Sequence, residues 1–161
     1  MKDEGFNVKV RFDALPGFLY GGNELNCGTW MDKMGSSEKA GNKGKPATPR
    51  DGSAVELVAL CKATVRWLAE LHRRGVYPHE GVAAGGVPVV TFTEWNERIQ
   101  KSFERNFWIG QKSDCQDARP DLIHQRCIYK DTYAASEPWT DYQLRPNFPV
   151  AMVVVRISRI N

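Results

Sequence analysis

Long apolar runs, closely spaced cysteines and a strong charge of either sign are all missing from this sequence, and each absence closes a class of function. The longest apolar run, Phe148 to Val155, is far short of the roughly 20 residues that a membrane-spanning helix needs. Cys27, Cys61, Cys115 and Cys127 lie far apart with no C-x-x-C pair, so no disulfide framework is expected. The start, Met1-Lys2-Asp3-Glu4-Gly5, lacks the apolar core of a signal peptide. A cytoplasmic protein with reduced thiols and no membrane partner fits these absences. The formal charge is only +3, with Lys and Arg spread along the chain, which argues against nucleic acid as the main partner. A local excess at Lys39, Lys43, Lys45 and Arg50 reads as a solvated basic loop. His72, His79 and His124 lack ligand spacing, so neither a metal nor a cofactor is expected. There is no G-x-S-x-G elbow. Gly44-Lys45 fails as a phosphate loop, because Lys39 stands where the first glycine belongs and Pro46 follows the lysine.

What the sequence does hold is enough for one domain. Its 161 residues are 42% hydrophobic and 25% charged, a balance that buries a core. Five Trp, five Tyr and seven Phe can fill that core or line a sugar cleft, and composition does not separate those uses. Val8, Val10 and Phe12 alternate with Lys9 and Arg11 as in a strand, and Pro16-Gly17 and Gly21-Gly22-Asn23 mark turns. Residues 35 to 52 read as a loop. Residues 53 to 74 give the clearest helix, with Ser53 and Glu56 matching the S-x-x-E capping box and Gly75 suited to end it. Cys61 and Trp67 widen its apolar stripe, so burial on both sides is expected. After a hairpin-like stretch from 81 to 92, Thr93 is placed to cap a second helix over about 94 to 108, with Trp95, Ile99, Phe103 and Phe107 on one face. Residues 122 to 147 are loop material rich in hydrogen-bonding side chains. Asn147 then reads as the N-cap of a last helix, with Pro149 in its first turn.

The organising stretch is Asn26-Cys27-Gly28-Thr29-Trp30-Met31-Asp32-Lys33-Met34-Gly35. It sets one carboxylate, Asp32, among large apolar side chains. Desolvation beside an indole raises a carboxyl pKa, which makes it a usable general acid at neutral pH. An ordinary cap beside a core Trp is the alternative, and local pattern leaves both open. Glu56 is likewise either a cap partner or a ligand contact at the helix start.

Three blocks together carry a resemblance. They are Gly21-Gly22-Asn23 through Asn26 to Gly35, then Pro46-Ala47-Thr48-Pro49-Arg50-Asp51-Gly52-Ser53-Ala54-Val55-Glu56, and then Ile128-Tyr129-Lys130-Asp131 with Asp141-Tyr142-Gln143-Leu144-Arg145-Pro146-Asn147. In content, order and spacing they resemble the glucosidase part of the eukaryotic glycogen debranching enzymes. Their cores, T-W-M-D, T-P-R-x-G-x-x-V-E and L-R-P-N, are also similar to bacterial debranching enzymes. The resemblance runs from about Phe6 to Met152.

It implies a mainly α fold, part of an (α/α)6 toroid with short strand or hairpin excursions. It also implies inverting hydrolysis of α-1,6-linked glucosyl stubs on glycogen or another branched α-glucan. Asp32 takes the position of the family's general acid. Trp30 is a stacking platform, and Arg50, Glu56, Asp131, Asp141, Arg145 and Asn147 are candidate sugar-contacting residues. The family's catalytic base, a Glu downstream of the R-P-N helix, is expected to be missing here, as is the transferase region. Residues 1–161 are thus expected to be a partial glucosidase domain, divergent after about 153. Apolar helix faces around Val58, Trp67 and Phe103 are expected to lie exposed. A non-catalytic oligosaccharide-binding fragment and a truncated product without activity are the competing readings.

Overall fold

The computed structural model describes residues 9–25, 29, 33–83, 88–111 and 119–155. Helix α1 (Val55–Arg73) packs against both α2 (Phe92–Phe107) and α4 (Phe148–Val155). Around these lie two-stranded antiparallel pairs: β1 (Arg11–Asp13) with β2 (Phe18–Tyr20), β3 (Ser53–Ala54) with β8 (Thr132–Tyr133), β4 (Gly81–Val82) with β5 (Val90–Thr91), and β6 (Trp108–Ile109) with β7 (Ile128–Tyr129). A 3-10 turn (Pro120–Leu122) and the short α3 (Pro138–Asp141) complete the described elements. The class is mainly α with hairpin excursions, as the sequence implies. No described helix is long and apolar enough to cross a membrane.

The core forms where the period-four aromatics of α2 meet α1. Ile99, Phe103 and Phe107 are fully buried, as are Val55, Val58 and Ala59 on α1 and Ala151 on α4. Each large apolar side chain so buried contributes about 1.5–3 kcal/mol. Phe103 and Phe107 stack with ring centroids 4.8 Å apart, and Phe18 from β2 sits 5.5 Å from Phe107. Polar contacts then fix the first hairpin on α2. Trp95 Nε1 donates to the Gly17 carbonyl at 2.7 Å, and Arg98 Nη1 donates to the Ala14 carbonyl at 2.9 Å.

Helix termini follow local chemistry, but not always the residues expected. At the C-terminus of α1, Gly75 adopts φ +72°, and its N–H bonds the His72 carbonyl at 2.8 Å, as a glycine stop should. At the N-terminus the Ser53–Glu56 capping box does not form. Ser53 and Ala54 are engaged in the ladder with β8, Ala54 is the N-cap with no side-chain bond, and the first helical N–H, of Val55, reaches the Asp131 carbonyl at 3.0 Å. The start of α2 is set by Thr91 rather than Thr93. Thr91 and Glu94 make a reciprocal capping box, the T-x-x-E pair two residues earlier. Asn147 does precede α4, but its side chain turns away from the helix N–H groups to bond Glu56.

Burial corrects three further expectations. Trp67 is 61% exposed, as expected of its face, together with Leu57 and Leu60 on the same side of α1, so that helix is buried on one side only and not on both. Val58 on α1 and Phe103 on α2 are fully buried, because α1 packs against both α2 and α4. Arg50, grouped with the solvated basic loop, is only 1% exposed.

Among the described strand pairs, β3–β8 lays the chain around Asp131 across the start of α1. It needs close backbone approach at Gly52. A Cβ there would lie 2.5 Å from the Tyr133 carbonyl oxygen and 2.6 Å from the Ala135 nitrogen, whereas one at Gly21 would meet nothing within 4 Å. Gly52→Ala should therefore destabilise the chain by about 2 kcal/mol or more, as overpacking of rigid backbone does, and Gly21→Ala by under about 0.5 kcal/mol. Urea midpoints of the two variants check this, and equal midpoints would refute it.

Candidate functional site: a buried guanidinium cluster

A single buried guanidinium gathers the polar residues singled out in the sequence. Arg50 lies just before β3, Glu56 in the first turn of α1, Asp131 between β7 and β8, and Asn147 just before α4. The β3–β8 ladder and the Val55–Asp131 backbone bond bring these separate stretches to one point.

All five N–H groups of Arg50 are used. Nη1 and Nη2 donate to Glu56 Oε1 and Oε2 at 2.6 and 2.8 Å. Nε and Nη2 donate to Asp131 Oδ2 and Oδ1 at 2.7 and 2.9 Å. The second Nη1 hydrogen goes to the Thr29 hydroxyl oxygen at 2.6 Å. Two forks on one guanidinium make a planar array that lysine cannot reproduce. Asn147 Nδ2 adds a bond to Glu56 Oε1 at 2.8 Å, and Arg145 Nε stands 3.5 Å from Asp131 Oδ2. The two guanidinium and two carboxylate groups balance in charge. Such balance is required here, since the side chains of Arg50, Glu56 and Asp131 have no exposed surface.

The two carboxylates respond differently to burial. Burial works to raise the Glu56 pKa, but the hydrogen bonds and charge of Arg50, with help from Asn147, outweigh it and hold the carboxyl below the usual range. Burial raises Asp131, and Arg50 and Arg145 offset it only in part, while the Glu56 charge adds to the rise. Arg50 itself is held above its ordinary value, the two carboxylates outweighing its own desolvation.

Asp141 stands beside this group in a structural cradle of its own. Its carboxylate accepts from Thr132 Oγ1 at 2.6 Å, from the Ala134 N–H at 3.0 Å and from the Ala135 N–H at 3.2 Å. Burial raises its pKa against those bonds. These contacts hold Ala134 at φ +56°, a left-handed conformation uncommon for alanine. The Asp141 carbonyl accepts from the Asp131 N–H at 2.9 Å, so the cradle also fixes the backbone of the cluster.

The expected site residues thus divide. Arg50, Glu56, Asp131, Arg145 and Asn147 come together, and Asp141 supports them from the adjoining turn. Trp30 and Asp32 lie outside the described residues. Thr29 is the member that sequence reasoning did not single out. It stands inside the T-W-M-D motif, yet its hydroxyl binds a residue 21 positions away, and no local pattern signals such a pairing. Asn147 Oδ1 is buried in the cluster with no hydrogen-bond partner among the described residues. No group of three or more potential metal ligands occurs among the described residues.

A family model described as amylo-alpha-1,6-glucosidase matches residues 2–158. Over 159 residues the chain is 44% identical to a glycogen debranching enzyme of Saccharomyces cerevisiae, an alignment that covers 96% of this chain and 10% of that relative. The chain therefore spans about a tenth of the relative's length.

Glu56 and Asp131 are each paired to Arg50 with no exposed side-chain surface, so Glu56→Gln and Asp131→Asn should each cost about 3–5 kcal/mol, as removal of one partner from a buried pair does. Glu56 has a folded pKa below its unfolded one. Its contribution is therefore present above the ordinary glutamate range and lost as pH falls through the depressed value. Urea unfolding at neutral and acid pH tests both points. A cost under about 1 kcal/mol for either variant, or an acid slope unchanged in Glu56→Gln, would contradict them.

Proposed function

The chain belongs to the amylo-alpha-1,6-glucosidase family, and from that premise we propose that it carries the acid half of an inverting α-1,6-glucosidase site. The substrate is a glucosyl stub left at a branch point of glycogen or a similar α-glucan in the cytoplasm. Asp32 protonates the oxygen of the α-1,6 bond as that bond breaks. A second carboxylate, roughly 6.5–9.5 Å away across the sugar, activates the water that attacks the opposite face. The helices belong to an (α/α)6 toroid, and Trp30 stacks on the sugar ring beside the acid.

The observation that supports this reading is convergence. The three blocks that carry the family resemblance are far apart in sequence, yet Thr29 from the first, Arg50 and Glu56 from the second, and Asp131, Arg145 and Asn147 from the third share one cluster. Their parts in sugar recognition differ. Arg145, with 17% of its side chain exposed, and Asn147, with its open acceptor, are the members suited to meet glucose hydroxyls. Arg50, Glu56 and Asp131 shape the cleft wall from behind, and Asp141 sets the turn that holds them.

The base is a carboxylate outside this cluster. Glu56 and Asp131 are locked to Arg50, and Asp141 accepts three hydrogen bonds. None is free to take a proton from water. The 161-residue chain alone should accordingly release little or no glucose from a branched limit dextrin. Release at a normal enzymatic rate would mean that a base acts within it.

The acid role is tested by replacing the matching segment of the yeast relative with residues 2–158 of this chain. Glucose release from limit dextrin should fall about 10²–10⁴-fold on Asp32→Asn, the usual worth of a positioned general acid. A loss of less than tenfold would remove Asp32 from that role.

A further inference from the structure

The spare acceptor of Asn147 has a fixed identity and a fixed direction. Asn147 lies just before α4 and is fully buried. Its Nδ2 donates to Glu56 Oε1 at 2.8 Å, whereas its Oδ1 accepts from none of the described residues. The two ends of an amide are told apart by their partners, and Glu56 is decisive here. Its carboxylate is held by Nη1 and Nη2 of Arg50 at 2.6 and 2.8 Å, and Arg50 keeps its pKa low, so it is ionised at neutral pH. An ionised carboxylate only accepts, so a flipped amide would set oxygen against oxygen. The NH2 end of Asn147 must face Glu56, and the oxygen is the end left over.

We propose that Asn147 determines specificity for the sugar: in the orientation that Glu56 imposes, its Oδ1 accepts a hydrogen bond from one free hydroxyl of the bound glucosyl unit. This inference rests on the reading of the cluster as one wall of an α-glucosidase cleft. The contact is selective because only a donor satisfies it. A hydroxyl donates; the ether oxygen of a glycosidic link does not. A glucosyl unit with that hydroxyl free meets the acceptor, and one extended there by a further sugar sets acceptor against acceptor. A site built to hydrogen-bond a hydroxyl rejects the analogue that lacks it far more strongly than a shape-selective pocket does, because its buried polar group stays unpaired. Arg145, two residues earlier and 17% exposed in its side chain, marks the side of the cluster that faces solvent.

The test uses the yeast relative carrying residues 2–158 of this chain. Glucose, each singly deoxygenated glucose and the matching fluorinated sugars compete with limit dextrin, and their inhibition constants are compared. Binding is read rather than rate, so the pull of fluorine on bond breaking does not enter. At one position, loss of the hydroxyl should weaken binding about 10- to 100-fold. Fluorine there should recover less than about threefold, because it accepts and does not donate. In Asn147→Ala the same two analogues should bind within about threefold of glucose, with the penalties at other positions unchanged.

The comparison of deoxygenated with fluorinated sugars needs only the parent protein, so it decides the matter even where Asn147→Ala fails to fold. Full recovery by fluorine at every position would overturn the contact, as would penalties that Asn147→Ala leaves in place. If glucose itself does not compete, the cleft reading falls, and that failure is distinct from failure of the hydroxyl contact.

Discussion

Everything distinctive in this structure depends on one guanidinium with no spare hydrogen. Arg50 sits in the interior, where an unpaired charge is untenable, and its five N–H groups meet two carboxylates and a hydroxyl from separate stretches of chain. The cost of burying those charges is offset only if every partner stays in place. Each carboxylate is accordingly held by elements of its own: Glu56 by the first turn of α1, and Asp131 by the strand pairs β6–β7 and β3–β8 on either side of it. Gly52 and the Asp141 cradle belong to the same arrangement, since without close approach of β3 and β8 the Asp131 carboxylate would not reach Arg50.

A cluster of this kind is a poor source of net stability and a good source of geometry. A well-packed apolar group of equal volume often serves stability as well or better, but it cannot direct an N–H along a fixed line. That distinction separates framing residues from those proposed to meet a ligand. Arg145 keeps some exposed surface and Asn147 an open acceptor. Arg50 and Glu56 keep none.

Much of the helical framework is legible from periodicity. The Trp95, Ile99, Phe103, Phe107 series marks the buried face of α2, and Gly75 marks the end of α1. What fails are readings that assign a polar residue to its nearest neighbours. Ser53 and Glu56 have capping-box spacing, but the strand partner of Ser53 lies far along the chain and Glu56 is taken by the buried Arg50, and those contacts outweigh the local option. Arg50 looks like one more cation in a basic loop for a similar reason: its partners Glu56 and Asp131 are 6 and 81 residues away. Of the candidate site, the resemblance supplies the residues, and the structure supplies the division between frame and exposed members. Trp30 and Asp32 lie outside the described residues.

The central claim is that geometry, and not charge alone, is what Arg50 provides. The most direct test is the equilibrium unfolding of Arg50→Lys by urea. Lysine keeps the positive charge but cannot serve two carboxylates and Thr29 together. The expected result is a loss of about 3 kcal/mol, with the acid-side stability slope altered as Glu56 loses its fork. Stability within about 0.5 kcal/mol of the parent chain would contradict the account.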